Sequence, residues 1–216
     1  MKLNDIRDVA VIGSGVIGYS WALSFAMNGH KVHVYDVKDD ALKLAKSRIH
    51  DSLENLASNK VLNPNKIEKI ESRISYTTSI ENTVKNTKFI VESGPEKYEV
   101  KWSIVNDVEK YASEDAIIAS STSGLLITEI AKNAKHPERF IGAHPYNPPH
   151  LIPLVEITKG EKTKEENVQL AYDLYKSIKK EPVILQKEAL GFICNRIQMA
   201  VYREVSDLVM RGVCSI

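Results

Sequence analysis

Short apolar runs recur along the chain, and longer charged or amphipathic stretches separate them. Short apolar runs bounded by glycine, proline or polar residues are typical of buried strands, and the longer stretches are typical of helices. The predicted strands are residues 9–12, 31–35, 89–91, 116–119, 140–143, 154–158 and 183–185. The predicted helices lie within residues 13–29, 39–60, 98–111, 164–179 and 190–211.

The alternation of strands and helices predicts the fold class. This order favours a mostly parallel sheet with helices on both faces, and right-handed crossovers leave few topologies. The segment 13–29 contains no charged residue, so its helix is expected to be covered on several sides. Asp39 or Asp40 is expected to cap the next helix, and Pro64 lies in the run that ends it. We therefore expect a doubly wound α/β fold.

The chain changes character near residue 187. Residues 1–187 alternate between strand and helix patterns, whereas residues 188–216 are helical only, so we expect a domain boundary there. The last helix carries one apolar stripe, made of Ile193, Ile197, Val201, Val205 and Leu208. A lone helix cannot bury such a stripe by itself. It needs the α/β domain, further helices or a second subunit.

Composition narrows the class of protein only modestly. The chain has 216 residues, 43% of them apolar, and a formal net charge of +1, which is ordinary for a globular protein. The balanced charge indicates no nucleic-acid or membrane partner, and no stretch is long enough to span a bilayer. Cys194 and Cys214 are expected about 30 Å apart on one helix, which is beyond disulfide reach. A reduced, cytoplasmic protein without a secretion signal or a metal site is expected.

A glycine-rich turn lies between the first predicted strand and the first predicted helix. It fits the pattern G-x-G-x-x-G and consists of Gly13, Ser14, Gly15, Val16, Ile17 and Gly18. In this context the first glycine permits a tight turn, the second lets a pyrophosphate approach the backbone, and the third allows close packing of helix on strand. The helix N-terminus offers free N–H groups to the phosphates.

An acidic residue ends the second predicted strand. Asp36 follows the last glycine of the turn by about 20 residues, the spacing at which a carboxylate binds the ribose hydroxyls of a dinucleotide. A carboxylate there repels a 2′-phosphate, so NAD is favoured over NADP. The alternative is a set of turn glycines with a surface aspartate, but the strand–turn–helix order favours a Rossmann-type NAD-binding unit.

A second candidate group combines a histidine and a glutamate on successive predicted strands. His144 ends one strand, and Glu156 lies inside the next between two apolar residues. A carboxylate in that position is costly to bury unless it is paired. If the strands are neighbours, Glu156 can hold the imidazole in one tautomer while His144 takes a proton from a substrate hydroxyl. From spacing alone, a structural histidine beside a surface glutamate is the more common arrangement.

Several segments form a wider pattern when they are taken in order. They are VAVIGSGVIG, the acid Asp36, IVESGPEKYEVK, SSTSGLLITEIA, RFIGAHPYNPPHLIPLVEI and ALGFICNRI. As a set they resemble the L-3-hydroxyacyl-CoA dehydrogenase family, including its lambda-crystallin/gulonate dehydrogenase and carnitine dehydrogenase branch. The resemblance implies a Rossmann-type sheet followed by the first helix of an all-α C-terminal domain. It also implies NAD-linked interconversion of an L-3-hydroxyacyl compound and its 3-keto form, as in fatty acid metabolism.

The resemblance assigns roles to single residues near the reacting groups. It implies that His144 is the catalytic base and Glu156 its partner. It implies that Ser123 and Asn147 are ligands on the substrate and nicotinamide side, and that Asn195 is a further asparagine near the substrate. Without the resemblance, serine and asparagine in such runs are ordinary turn formers or partners of the local backbone.

Two charged residues match family positions that contact the cofactor. They are Glu96 and Lys101, at the end of the segment that follows the strand of residues 89–91. From their residue types alone, both side chains would be expected to lie on the surface as ordinary charged residues.

Two departures from the family pattern bear on substrate and activity. Enzymes for acyl-CoA usually read His-Phe-Phe-Asn-Pro, whereas this chain reads HPYNPP from His144 to Pro149, which is closer to the gulonate and carnitine branch. The sequence stops at Ile216, where the family's helical domain continues, completes the substrate cleft and forms a homodimer. The alternatives are a dehydrogenase of a non-CoA 3-hydroxy acid and an inactive NAD-binding or structural protein. A 6-phosphogluconate-like enzyme is disfavoured, because the segment around Asn195 has no lysine base.

Overall fold

The computed structural model describes residues 1–215, in which eight strands form a single sheet. The strands are β1 (Asp8–Ile12), β2 (Lys31–Tyr35), β3 (Ile74–Thr77), β4 (Phe89–Glu92), β5 (Ile117–Ser120), β6 (Phe140–Pro145), β7 (Leu154–Lys159) and β8 (Glu181–Ile184). Their order across the sheet is β3-β2-β1-β4-β5-β6-β7-β8, and the strands from β3 to β6 are parallel. The predicted Rossmann-type, mostly parallel sheet is confirmed.

Helices cover both faces of this sheet. Among the described residues they are α1 (Val16–Met27), α2 (Asp39–Ser58), α3 (Ile67–Glu71), α4 (Ile80–Val84), α5 (Tyr98–Glu109), α6 (Ile127–Ile130), α7 (Glu165–Ser177) and α8 (Cys194–Met210). Helices α1, α2, α3 and α7 pack in one core, and α4, α5 and α6 pack in the other. Strand β1 contributes side chains to both cores. Val9 and Val11 point into the first core, and Ala10 and Ile12 point into the second. The doubly wound arrangement is confirmed.

Strand β7 departs from the parallel order. It runs antiparallel to β6, with His144 directly opposite Glu156. The segment between the two strands, residues 146–153, is shorter than the dozen or so residues that a crossover to a parallel strand needs. The two strands are therefore neighbours, which is the condition that the histidine–glutamate hypothesis required.

The short elements were not predicted from the sequence. Strand β3 and helices α3, α4 and α6 have only four or five residues each. Helices of that length are too short to show a helical period, and β3, with the sequence ISYT, lacks the continuous apolar run that marks a buried strand.

One predicted helix cap and one predicted helix start are wrong. Helix α2 begins at Asp39, so neither Asp39 nor Asp40 caps it; both lie in the first turn, where the helix dipole favours carboxylates, and both pair with Lys43. Helix α8 begins at Cys194 rather than near residue 190. The reason is the backbone before it, because Gly191 and Phe192 have φ values of +74° and +50°, which a helix cannot contain.

Helix α1 is covered on several sides, as its lack of charge predicted, and its residues 20–26 are all buried. Trp21 and Phe25 are fully buried and pack with Phe89 of β4 and Tyr175 of α7. The ring of Tyr175 lies 5.2 Å from that of Trp21 and 5.8 Å from that of Phe89. This aromatic cluster joins α1 and α7 to the centre of the sheet.

The apolar stripe of α8 lies on the surface. Ile197, Val201 and Val205 are about half exposed, and no residue of α8 is buried in the part of the chain that the structure describes. Cys194 opens the helix and Cys214 lies beyond its end, and both are free thiols. Within residues 1–215 no helix combines the length and the apolar character needed to cross a membrane.

We expect Tyr175→Phe to leave stability unchanged or to raise it. The Tyr175 hydroxyl is buried and has no hydrogen-bond partner among the described residues, a situation that costs about 1–3 kcal/mol. Urea unfolding followed by circular dichroism measures the free energy of unfolding. Tyr175→Ala is the control, because loss of the ring should lower that free energy by about 3–5 kcal/mol. A Phe variant that is clearly less stable than the natural chain would show that the hydroxyl is satisfied.

Candidate active site

The carboxyl ends of the parallel strands bring the predicted site residues to one edge of the sheet. The glycine turn follows β1, Glu92 ends β4, Ser120 ends β5, and His144 lies near the end of β6. In an open α/β sheet, this edge is where ligands bind.

The glycine turn is so tight that two of its glycines have no room for a side chain. A Cβ atom on Gly18 would lie 1.8 Å from the carbonyl oxygen of Gly13, and one on Gly13 would lie 2.7 Å from that of Ser93. Gly13 also has a φ of +96°, which favours glycine. A Cβ atom on Gly15 would meet no atom within 4 Å, so the backbone there faces open space. These surroundings match the three glycine roles that the motif predicts.

The carboxylate of Asp36 lies against this turn. It accepts hydrogen bonds from the backbone N–H of Ser14 at 2.9 Å and from the Ser14 hydroxyl at 2.7 Å. It also accepts one from the N–H of Lys38 at 3.3 Å. Because Ile12 and Tyr35 are register partners in β1 and β2, Asp36 leaves the sheet directly beside the turn. The structure therefore brings the predicted acid and the predicted glycine motif together.

Helix α1 starts inside the turn and has a free N-terminus. Gly15 is the cap residue, and no side chain among residues 1–215 caps the first turn by a hydrogen bond. Val16 is exposed and Ile17 is partly buried against the core. An open backbone at Gly15, uncapped helical N–H groups and the Asp36 carboxylate form the donor and acceptor set that a pyrophosphate and a ribose require. The residues present fit NAD.

His144 and Glu156 form a buried pair across β6 and β7. The Nδ1–H of His144 donates to Glu156 Oε2 at 2.9 Å. This bond directs the lone pair of the neutral imidazole to Nε2, which is the atom then able to accept a proton. The rings of Tyr146 and Phe192 lie 5.2 Å and 5.6 Å from the imidazole and shield it.

The second oxygen of Glu156 binds the start of α8. Oε1 accepts hydrogen bonds from the N–H groups of Ile193 at 2.9 Å and Cys194 at 3.0 Å. Glu156 is 1% exposed, so the alternative of a surface glutamate beside His144 is wrong. A buried carboxylate with three hydrogen bonds is a stable partner for an imidazolium cation.

Lys101 is buried rather than a routine surface charge. Its ammonium lies 2.8 Å from Glu92 Oε2 and 3.6 Å from Glu96 Oε2, and its side chain is 1% exposed. Glu92 is also buried and accepts hydrogen bonds from the Ser120 hydroxyl at 2.5 Å and the Gly94 N–H at 2.7 Å. The expectation that Lys101 lies on the surface is wrong. Its charge can be buried because the buried carboxylate of Glu92, at the end of β4, neutralises it.

Glu96 extends this network to the loop after β5. Its Oε1 accepts from the Thr122 hydroxyl at 2.6 Å and from the Ser123 N–H at 2.7 Å. The amide of Asn195 donates to the carbonyl oxygen of Ser123 at 2.8 Å. Hydrogen bonds thus join Glu96, Ser123 and Asn195, which are far apart in the sequence. The Asn195 side chain binds the backbone of a distant residue rather than its own local backbone. Asn147 lies exposed on the loop that follows β6.

Two buried residues of the site were missed from the sequence. Glu92 ends the apolar run of β4 as a single acid, which is the signal that could have identified it. Phe192 is fully buried against His144, and its signal was the preceding Gly191, which allows the chain to turn sharply there.

A family model described as "3-hydroxyacyl-CoA dehydrogenase, NAD binding domain" matches residues 8–189. The chain belongs to this family. Membership of the 3-hydroxyacyl-CoA dehydrogenase family agrees with the resemblance drawn from the sequence motifs and identifies the cofactor as NAD.

The alignments with individual relatives cover most of this chain but only part of each relative. The L-carnitine dehydrogenase of Oceanobacillus iheyensis is 37% identical over 210 residues, which are 97% of this chain and 67% of the relative. The 3-hydroxyacyl-CoA dehydrogenase of Gibberella moniliformis is 36% identical over 215 residues, which are 98% of this chain and 64% of the relative. The chain therefore spans about two thirds of the length of these family members.

Solved structures of the family share the fold. The 5-formyl-3-hydroxy-2-methylpyridine 4-carboxylic acid 5-dehydrogenase, described as an NAD⁺-dependent dismutase, superposes with a TM-score of 0.87 at 34% identity. That match covers 97% of this chain and 67% of the other. The 3-hydroxybutyryl-CoA dehydrogenase of Escherichia coli superposes with a TM-score of 0.92 at 31% identity over 97% of this chain and 44% of that one.

We expect Asp36→Ala to weaken NAD binding by about tenfold to a hundredfold, which is the effect of losing hydrogen bonds to a charged group. It should also narrow the preference for NAD over NADP, because the repulsion of a 2′-phosphate is removed. Isothermal titration calorimetry with both dinucleotides measures these changes. Asp40→Ala is the matched control, since Asp40 is exposed and pairs with Lys43 away from the turn. Equal affinities of the natural chain and the Asp36 variant would exclude Asp36 from the cofactor site.

Proposed function

We propose that this chain is the NAD-binding part of a dehydrogenase that interconverts an L-3-hydroxyacyl compound, of the 3-hydroxyacyl-CoA type, and its 3-keto form. The observation that carries the proposal is the His144–Glu156 pair, held at 2.9 Å at the ligand-binding edge of the sheet. The names of the relatives support the reaction class, since an L-carnitine dehydrogenase and a 3-hydroxyacyl-CoA dehydrogenase both align with the chain.

The cofactor would be held by the glycine turn and by Asp36. The free N–H groups at the start of α1 would bind the pyrophosphate at Gly15, and Asp36 would accept the hydroxyls of the ribose. When bound, NAD supplies a hydride acceptor for oxidation of the substrate. A carboxylate at Asp36 disfavours the 2′-phosphate of NADP, which supports NAD as the working cofactor.

His144 would act as the general base in the direction of oxidation. Its Nε2 would take the proton of the C3 hydroxyl as the C3 hydrogen leaves as hydride. Glu156 would stabilise the imidazolium that forms and keep Nδ1 protonated throughout. In the direction of reduction, the same imidazolium would return the proton to the C3 oxygen.

The remaining predicted residues would orient the reacting groups. Ser123 and Asn147 lie on the loops after β5 and β6, where they would bind the C3 oxygen and the nicotinamide side. Asn195 would contribute by fixing the backbone of Ser123. Glu96, whose side chain is exposed, would contact the cofactor. The buried ammonium of Lys101, 3.6 Å away, would hold the Glu96 carboxylate in place.

A non-CoA 3-hydroxy acid of the carnitine or gulonate type is a second candidate substrate. The observation that favours it is the HPYNPP segment, which differs from the His-Phe-Phe-Asn-Pro of acyl-CoA enzymes. L-carnitine dehydrogenases from several bacteria, 33–37% identical to this chain, also support it.

We also propose that residues 188–216 belong to a second, helical domain. The exposed stripe of α8 supports this, because an amphipathic helix is normally covered along its apolar face. Pairing of two such domains would make the working enzyme a homodimer. Its substrate would be a small molecule.

We expect His144→Ala to lower the rate of turnover by about a hundredfold to ten-thousandfold, as loss of a general base does, without changing NADH affinity. NADH absorbance follows turnover, and NADH fluorescence measures affinity. His50→Ala is the matched control, because the exposed His50 of α2 pairs with Glu71 of α3 at 2.9 Å. Full activity in the His144 variant would remove the histidine from the mechanism.

We expect one substrate class to be strongly preferred when NADH oxidation is followed with acetoacetyl-CoA, dehydrocarnitine and 3-keto sugar acids. A preference for acetoacetyl-CoA would support the 3-hydroxyacyl-CoA type, and a preference for either free acid would support the second candidate. The assay should be run on this chain and on the longer product if the reading frame continues beyond codon 216. NADH binding without turnover of any of the three compounds would favour an inactive NAD-binding protein.

A further inference from the structure

The loop between β6 and β7 carries Asn147 near its start. Most of the hydrogen bonds that hold the loop involve the residues after Asn147. We call residues 146–153 the substrate loop. Inside the loop, the N–H groups of Leu151 and Ile152 both donate to the carbonyl oxygen of Pro148 at 3.0 Å. Asn147 itself is exposed, so its position depends on how the rest of the loop is held.

Lys180 holds the substrate loop from beneath. It is 5% exposed, and its ammonium donates to the carbonyl oxygens of Pro149 and Ile152, the latter at 3.2 Å. The same ammonium lies 5.9 Å from the ring centroid of Trp21 on α1. Burial lowers the pKa of Lys180 to about 8. Both of these hydrogen-bond partners are backbone carbonyl oxygens rather than carboxylates.

A lysine buried among carbonyl groups is a costly arrangement. Loss of hydration disfavours the charged amine, and carbonyl oxygens replace only part of that hydration. A leucine or methionine would fill the same space at less cost. The cost is understandable if the two hydrogen bonds to the loop have a role of their own.

Ser20 holds the same loop from the side of α1. Its hydroxyl oxygen accepts the N–H of His150 at 3.0 Å, and the hydroxyl lies 2.6 Å from His150 Nδ1. In a neutral imidazole with its proton on Nε2, the Nδ1 atom accepts the hydrogen of the serine hydroxyl, while the serine oxygen accepts the backbone N–H. Burial, and then the charge of Lys180, lower the pKa of His150, in agreement with that neutral form.

We propose that Lys180, Ser20 and His150 form a clamp that fixes the substrate loop on helix α1, and that Lys180 is thereby a positioning residue for Asn147. The proposal rests on the proposed function, because it gives the loop a role in binding substrate. Helix α1 begins at the glycine turn, so the clamp joins the cofactor-binding helix and the substrate loop in one rigid unit. Asn147 is then placed relative to the cofactor site as well as to His144.

Hydrogen–deuterium exchange measured by mass spectrometry tests the clamp without any need for turnover. In Lys180→Met the amides of Leu151 and Ile152 should exchange about tenfold faster, because the loop loses its anchor. In Ser20→Ala the amide of His150 should exchange faster, because it loses its acceptor. Lys180→Arg should restore protection, since a guanidinium can donate to both carbonyls. Lys176→Met is the matched control, because Lys176 is exposed and pairs with Glu181 near the same helix end.

Steady-state kinetics of the same variants test positioning. With the preferred substrate, Lys180→Met should lower kcat by about tenfold to a hundredfold, as expected for a misplaced substrate ligand. The KM for NADH and the NADH affinity should stay unchanged, and Lys180→Arg should recover most of the lost kcat. A merely structural lysine would instead lower the melting temperature without this selective effect on kcat.

The outcomes separate the clamp from the proposed function. Unchanged exchange in both Lys180→Met and Ser20→Ala would overturn the clamp. Faster exchange with unchanged kcat would overturn the positioning role of Lys180. If the natural chain and any longer product turn over none of the substrates, the proposed function and the positioning role fall together, and the exchange data still decide whether the clamp exists.

Discussion

The site depends on the buried carboxylate of Glu156, which must be satisfied by hydrogen bonds because it is removed from water. Its two oxygens accept from His144 on β6 and from the backbone of Ile193 and Cys194 at the start of α8. One carboxylate thus fixes the register of two antiparallel strands, the tautomer of the imidazole and the position of the last helix. Removing any of these partners leaves a buried charge short of hydrogen bonds, which is the expensive case for a folded protein.

A second buried carboxylate, Glu92, plays the same part at the end of β4. It is neutralised by Lys101, and this pair supports Glu96, which binds the loop of Ser123. The two networks meet at α8, because Asn195 donates to Ser123 one residue after Cys194 binds Glu156. The first turn of α8 is therefore tied to the α/β domain by charge-supported hydrogen bonds, although the rest of that helix is exposed along its apolar face. The geometry of the candidate active site and the direction in which α8 leaves the domain are set by the same contacts.

Local patterns predicted the parts of the fold whose signal is local. The apolar runs identified β1, β2 and β4 nearly to the residue, and the glycine motif was recognised because strand, turn and helix follow one another directly. The antiparallel course of β7 depends on a short connection and on tertiary pairing, which no periodicity records. Burial of Lys101 could not be predicted for a similar reason, because its partner Glu92 comes from another element. The start of α8 was missed because Phe192 adopts a positive φ that its residue type does not announce.

Strand β8 lies at the end of the sheet and determines how that edge meets other molecules. The N–H groups of Glu181 and Leu185 point inward to β7, so the intervening Pro182 occupies a position whose donor would point outward. Proline has no N–H, and charged residues precede it in the sequence. A foreign strand approaching this edge finds a missing donor at Pro182 and the exposed charged side chains of Lys179 and Glu181 instead of a free ladder of hydrogen bonds. This edge of the sheet is thereby protected against growth by strand addition, the first step of β-aggregation.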